Sequence, residues 1–172
     1  MEAQFKELNI PLTRMPAVYG KELPQSFLKN AKSQFNIFTH YPNLNDGEIG
    51  LTKTYFDLWK IITKQKEDYA IILEDDALLT KDFFRDLEKL LLTITENDFL
   101  DISGRKGFFE LTSNDLTTKF TIPSLQTTGQ IIGRKAAKTL SHNLTTYYSP
   151  IDVLKQDVYK HKVKVFTTIK KY

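Results

Sequence analysis

Tyr69-Ala70-Ile71-Ile72-Leu73-Glu74-Asp75-Asp76-Ala77-Leu78-Leu79 decides how the rest of the chain is read. Its first half is a short apolar run, partly β-branched, of the kind a strand buried on both faces of a parallel sheet requires. Three consecutive carboxylates follow. Acids at the end of a buried strand must stay solvated or meet a cation, a donor or a helix N-terminus, because an isolated buried charge is costly. In open α/β sheets ligands bind beyond the carboxyl ends of the strands, so position and chemistry point to one place.

The flanks extend the pattern. Upstream, Asn45 or Asp46 can cap a helix on which Ile49, Thr52, Phe56, Trp59 and Ile62 recur at three- and four-residue steps, giving one apolar face. Downstream, Phe83, Phe84, Leu87, Leu90, Leu91 and Ile94 repeat that spacing over residues 81–94. Helix, strand, helix predicts an α/β protein. Further strands are expected over 99–103, 126–132 and 163–169, and the Thr-rich stretch 111–121 reads as loop or hairpin. A helix is expected over 134–143, and Ser149-Pro150-Ile151-Asp152 reads as N-cap, first-turn proline and capping-box-like acid of another that runs to about Lys160. Nearer the start, Met1, Phe5 and Leu8 share a helical face, 14–19 suits a short strand closed by Gly20, 23–32 suits a helix begun by Pro24, and 33–45 reads mostly as loop.

Composition limits the function classes. A chain of 172 residues suits a single domain, 1–172, with a continuous core. Hydrophobic residues are 41% and charged residues 26%, the balance of a globular protein. The net charge of +3 comes from Lys and Arg scattered among acids, which argues against nucleic acid and mildly for an anionic ligand or membrane surface. Cys is absent, which excludes disulfides and thiolate metal sites. With no apolar run able to serve as signal peptide or membrane span, a cytoplasmic location is expected. His40, His142 and His161 lack ligand spacing and are expected at the surface.

In an extended strand end, side chains two apart point the same way, so Glu74 and Asp76 are expected to converge while Asp75 faces elsewhere. Two converging carboxylates suit a hard divalent cation, Mg²⁺ or Mn²⁺, completed by waters and substrate phosphates. The bland alternative is a solvated loop in which one acid caps the helix near Lys81. Two other phosphoryl-handling patterns fit less well. A receiver domain opens on such a strand and is phosphorylated at the end of a much later one, whereas here the strand is mid-chain and the next acid at a strand-like end, Asp101, comes too soon. A haloacid-dehalogenase-type phosphatase needs a nucleophilic Asp where Glu74 stands.

With its flanks included, the sequence resembles glycosyltransferase family 25, the lipooligosaccharide-type β-galactosyltransferases related to collagen galactosyltransferases. The resemblance runs through Gly20-Lys21, Gly47-Glu48-Ile49-Gly50, Leu58-Trp59, Leu73-Glu74-Asp75-Asp76, Thr128-Gly129 with Ala136-Ala137, and Pro150-Ile151-Asp152. It implies a type A glycosyltransferase fold with a mostly parallel, Rossmann-like sheet. It also implies a UDP-sugar donor such as UDP-galactose, a divalent cation (Mn²⁺ or Mg²⁺), and inverting transfer to a glycan or lipooligosaccharide acceptor, with peripheral association at the inner membrane surface. On this pattern Glu74 and Asp76 hold the metal, Gly47, Glu48, Asp75 and Gly129 contact the donor, and Asp152 is the general base. The chain departs from the pattern at Leu51, Thr54 and Tyr55, where the family has Cys and then Ser-His, and at Gln130, where it has an aromatic residue. The family's opening strand is not found in the sequence, so either the start is misplaced or the chain is a trimmed relative, and a non-catalytic relative that binds a glycan or partner protein is the alternative.

Overall fold

The computed structural model describes residues 2–7, 10–34, 44–125 and 127–172. A short helix, α1 (Glu2–Glu7), leads through extended chain and a single 3-10 turn, Gly20–Glu22, to α2 (Gln25–Ser33) behind Pro24. The strand expected over 14–19 does not form; Val18 gives its N–H to the Thr54 hydroxyl at 2.8 Å instead of to a sheet. Most of the loop expected over 33–45, His40 included, lies outside the described residues, as do Met1 and Leu8.

The signals at Asn45 act as expected on α3 (Asp46–Ile62). The Asn45 side chain accepts from the Glu48 N–H at 2.9 Å and Glu48 Oε2 accepts from the Asn45 N–H at 2.8 Å. This reciprocal pair satisfies two donors that a helix start otherwise leaves free. The chain continues as β1 (Tyr69–Leu73), α4 (Lys81–Leu91), β2 (Asp98–Asp101), β3 (Phe108–Ser113), β4 (Thr117–Ile122), β5 (Gly129–Gly133), α5 (Arg134–Asn143), α6 (Ile151–Leu154), a 3-10 stretch Lys155–His161, and β6 (Lys164–Thr168). The Thr-rich stretch is therefore a hairpin. The last helix is shorter than expected: Pro150, not Ser149, is its N-cap, and its backbone tightens to 3-10 geometry after Leu154.

The six strands of the described residues form one sheet in the order β1-β5-β2-β6-β4-β3. The expectation of a mostly parallel sheet fails, since β2 and β6 alone pair in parallel and every other neighbouring pair is antiparallel. The β3–β4 hairpin turns the chain around, and β5 then enters reversed between β1 and β2. Nor is β1 buried on both faces. It lies at the sheet edge with Ile71 40% exposed, while every residue of β2 and β5 is buried. Because β5 opposes both, β1 and β2 run the same way and their carboxyl ends share one end of the sheet.

Two apolar layers cover the faces. Trp59 and Phe56 of α3, Leu140 of α5 and Leu154 of α6 pack on Ile72, Phe99, Ile132 and Val165. Phe5, Phe83, Leu90 and Tyr172 pack on Leu100 and Ile131 of the opposite face. The N-terminal segment is pinned to α3 by close backbone approach, since a Cβ on Gly50 would stand 2.5 Å from the Val18 carbonyl oxygen and 2.8 Å from the Gly20 nitrogen. Gly50→Ala is expected to cost roughly 1–3 kcal/mol through this overpacking, seen as a lowered thermal midpoint.

Asp86 on α4 ties down the C-terminus. Its carboxylate accepts from Arg85 at 3.0 and 3.1 Å and from the Tyr172 hydroxyl at 3.1 Å, with Lys170 at 3.5 Å. The Arg85 guanidinium holds this carboxyl below its ordinary 3.8, to about 2. A carboxyl depressed on folding stabilises the protein above its unfolded value, and that contribution is lost as pH falls through the folded one. The wild-type chain should therefore lose thermal stability between pH 3.8 and about 2 more steeply than Asp86→Asn, which should be less stable at neutral pH. Equal acid profiles for the two would refute this.

Candidate functional site

The acidic triplet follows β1 as a turn. Ala77 N–H bonds the Glu74 carbonyl at 3.1 Å, which makes Asp75 and Asp76 the two central, exposed residues of that turn. The alternation that would aim Glu74 and Asp76 the same way belongs to extended chain, and β1 ends at Leu73. Glu74 is half-buried and anchored twice: its N–H bonds the Thr128 carbonyl at 3.0 Å, and its carboxylate accepts from the Thr127 hydroxyl. Among the described residues no side chain caps α4, so none of the three acids serves the helix at Lys81.

A polar row crosses the sheet at the same end. Register places Gln130 opposite both Ile72 and Asp101, Asp101 opposite Thr167, and Thr167 opposite Thr118. Residues directly opposite share a face. Two positions back on that face the row is apolar: Ala70, Ile132, Phe99, Val165 and Phe120. Polarity thus appears where the sheet ends. Asp101 is 2% exposed, and its carboxylate accepts from the Ser124 hydroxyl at 2.6 Å and the Ser103 N–H at 2.8 Å. Gln130 is equally buried, and among the described residues its Nε2 has no partner.

Asp152 enters from α6, half-buried, with Oδ1 accepting the Val153 N–H at 2.9 Å. Its helix starts without the expected serine cap, and Ser149 is buried with its hydroxyl unpartnered among the described residues. One turn on, Lys155 lies 2% exposed with its ammonium 5.8 Å from the centre of the Phe99 ring. Burial lowers this ammonium from 10.5 to about 8, opposed by the charges of Asp101, Asp152 and Glu74. Acids from three distant segments therefore all act on the charge of one buried lysine. Tyr55 closes the α3 side: its hydroxyl donates to the Thr127 carbonyl at 3.1 Å beside the Gln130 side chain. Burial, reinforced by Glu74, raises its pKa well above that of a free phenol.

The fold thus brings Glu74, with Asp75 and Asp76 on its turn, to the same end as Asp152. Gly129 is there too, but buried: a Cβ on it would meet Ile102 at 2.9 Å, so its hydrogen atom serves β5 packing. Gly47 and Glu48 sit in the first turn of α3, about 12 Å along the axis from Tyr55 at 1.5 Å per residue, and Glu48 is engaged by Asn45. Asp101, Lys155 and Tyr55 were not singled out from sequence for this site. For Asp101 the signal was present, an acid ending a buried strand as Glu74 does; for Lys155 nothing local marks it. His142 is exposed as expected, while His161 is half-buried and burial lowers its pKa.

Among the described residues no group of three or more His, Asp or Glu is placed to enclose a metal ion. The exposed carboxylate of Asp76, with the half-buried one of Glu74 two residues before it, nonetheless fits a cation that keeps several waters and takes its remaining ligands from phosphates. Among the described residues no helix is long and apolar enough to cross a membrane.

In an α/β sheet flanked by helices, the space beyond the carboxyl ends of the strands, where these carboxylates lie, is where ligands bind. The profile of Glycosyltransferase family 25 (LPS biosynthesis protein) matches residues 1–155, and the chain belongs to that family, which implies a type A-like fold. It is also similar to procollagen galactosyltransferase 1-B of Xenopus laevis, 32% identical over 117 residues. That alignment covers 62% of this chain and 18% of the frog protein's length.

Removing the hydroxyl of Tyr55 tests how α3 is tied to this end of the sheet. Tyr55→Phe is expected to cost about 1 kcal/mol, the usual net worth of one buried hydrogen bond. Unfolding in urea measures it.

Proposed function

We propose that the chain is a metal-dependent, inverting glycosyltransferase that moves a hexose, galactose first among candidates, from a UDP-sugar to a hydroxyl of a glycan or lipooligosaccharide acceptor. The observation that carries this reading is the placing of Glu74 and Asp101 at the shared carboxyl ends of β1 and β2, with Asp152 one turn before the lysine that lies over Phe99 of β2, in a member of this family. The +3 net charge supports a peripheral place at the cytoplasmic face of a membrane.

In this reading Glu74 and Asp76 hold Mn²⁺ or Mg²⁺, whose chemistry is to neutralise charge building on the departing diphosphate. Asp75, the backbone at Gly129, and Gly47 with Glu48 at the head of α3 line the path of the donor. Asp152 takes the proton of the acceptor hydroxyl as that oxygen bonds to the anomeric carbon. The bond from that carbon to the diphosphate breaks at the opposite side, its electron pair leaving with the phosphate oxygen, so the configuration inverts. Half-buried in the first turn of α6, Asp152 keeps part of its surface in solvent.

Thermal unfolding with Mn²⁺ and UDP at about 100 times Kd should add roughly 2.7 kcal/mol of stability, or about 5–10 °C in midpoint for a chain of this size. The pair Glu74→Gln with Asp76→Asn should abolish that shift, whereas Asp152→Asn should keep it and lose transfer from UDP-galactose. A wild-type chain that shows no shift at saturating ligand is the non-catalytic relative instead.

A further inference from the structure

Lys155 is buried in a way that packing alone does not explain. A hydrocarbon could fill the same space over Phe99 without the cost of desolvating an ammonium. The charge is not cancelled by contact either: among the described residues Lys155 makes no hydrogen bond and no ion pair, although Glu74, Asp101 and Asp152 all act on it electrostatically. Burial brings the group only to about 8, so it is still mostly charged at neutral pH. A positive charge is thus kept, against a cost, at the end of the sheet where the acids gather.

That end has an electrostatic problem. Glu74, Asp75, Asp76, Asp101 and Asp152 together repel any anion that approaches. We propose that Lys155 supplies the fixed positive charge of the donor site and faces the diphosphate of the nucleotide sugar from beside the acidic turn. The proposal rests on the reading of this end of the sheet as a donor site and goes further, by assigning to the protein itself part of the charge that a nucleoside diphosphate needs. A lysine suits the task. Its ammonium is a compact point charge on a flexible stem, here over the Phe99 ring, two residues before Asp101 on the same strand.

The test measures two dissociation constants by titration calorimetry on the full chain, UDP without metal and Mn²⁺ without nucleotide, for wild type, Lys155→Met and Lys155→Arg. Removing one positive charge should weaken UDP about tenfold, the scale of one unit charge in a partly screened site, and should tighten Mn²⁺. Lys155→Arg should stay within about threefold of wild type for both. The thermal midpoint of Lys155→Met should equal or exceed that of wild type, because the buried charge is a cost to folding. Opposite shifts are a signature that a damaged fold does not produce. Equal UDP constants in wild type and Lys155→Met, or joint weakening of both ligands, would overturn the role of Lys155 while leaving the donor site standing. A wild-type chain that binds neither ligand would overturn the donor-site reading itself. If Lys155→Met does not fold, Lys155→Gln set against Lys155→Arg decides the matter by the same two constants.

Discussion

The antiparallel insertion of β5 between β1 and β2 is the constraint on which the rest depends. It makes those two strands co-directional without a crossover between neighbours, so their carboxyl ends face one side. It also sets the phase of side chains across these three strands. With Ile132 opposite Ala70 and Phe99, Gln130 must fall opposite Ile72 and Asp101. A one-residue slip would turn Gln130 and Asp101 to the other face and bring Ile131 and Leu100 in their place. Gly133 and Gly129 bracket this strand, where a Cβ would strike the Glu96 backbone at 2.2 Å and the Ile102 side chain at 2.9 Å.

Charge at the site is balanced unevenly. Asp101 is fully engaged by a serine hydroxyl and a backbone N–H, Glu74 is partly engaged by Thr127, and Asp75 and Asp76 are left to solvent. The gradient runs from satisfied and buried to free and exposed. Such an order separates acids that shape the site from acids free to meet a ligand, and it follows from depth in the fold.

Much of this was legible in the sequence where the signal is local. The cap at Asn45, the apolar spacing of α3 and α4, and the bounds of α5 needed no tertiary information. What failed was everything decided by partners far along the chain. An apolar run such as Ala70-Ile71-Ile72-Leu73 looks the same at the edge of a mixed sheet as in the middle of a parallel one, and nothing in it reveals that β5 arrives reversed. The helix begun at Pro150 was found but not its tightening after Leu154, and that change of backbone accompanies the burial of Lys155 on Phe99. Asp101 carries the same local mark as Glu74, an acid ending an apolar strand, and what brings it to this end, the register with Gln130 and the bond from Ser124, lies far along the chain. Tyr55 and Gln130, both departures from the family pattern, stand side by side in the structure.

The contact of the 18–20 segment with Gly50 reaches beyond the packing of one turn. Thr54, one turn further on, receives the Val18 N–H, while its neighbour Tyr55 grips the Thr127 carbonyl and Thr127 in turn grips Glu74. Adjacent side chains of α3 therefore hold the front of the chain with one hand and the acidic turn with the other. The helix works as a crossbar. The seating of Glu74 is inherited from residues more than fifty positions upstream in sequence, and a change at Val18 or Gly20 can loosen the acidic turn without any atom there being touched.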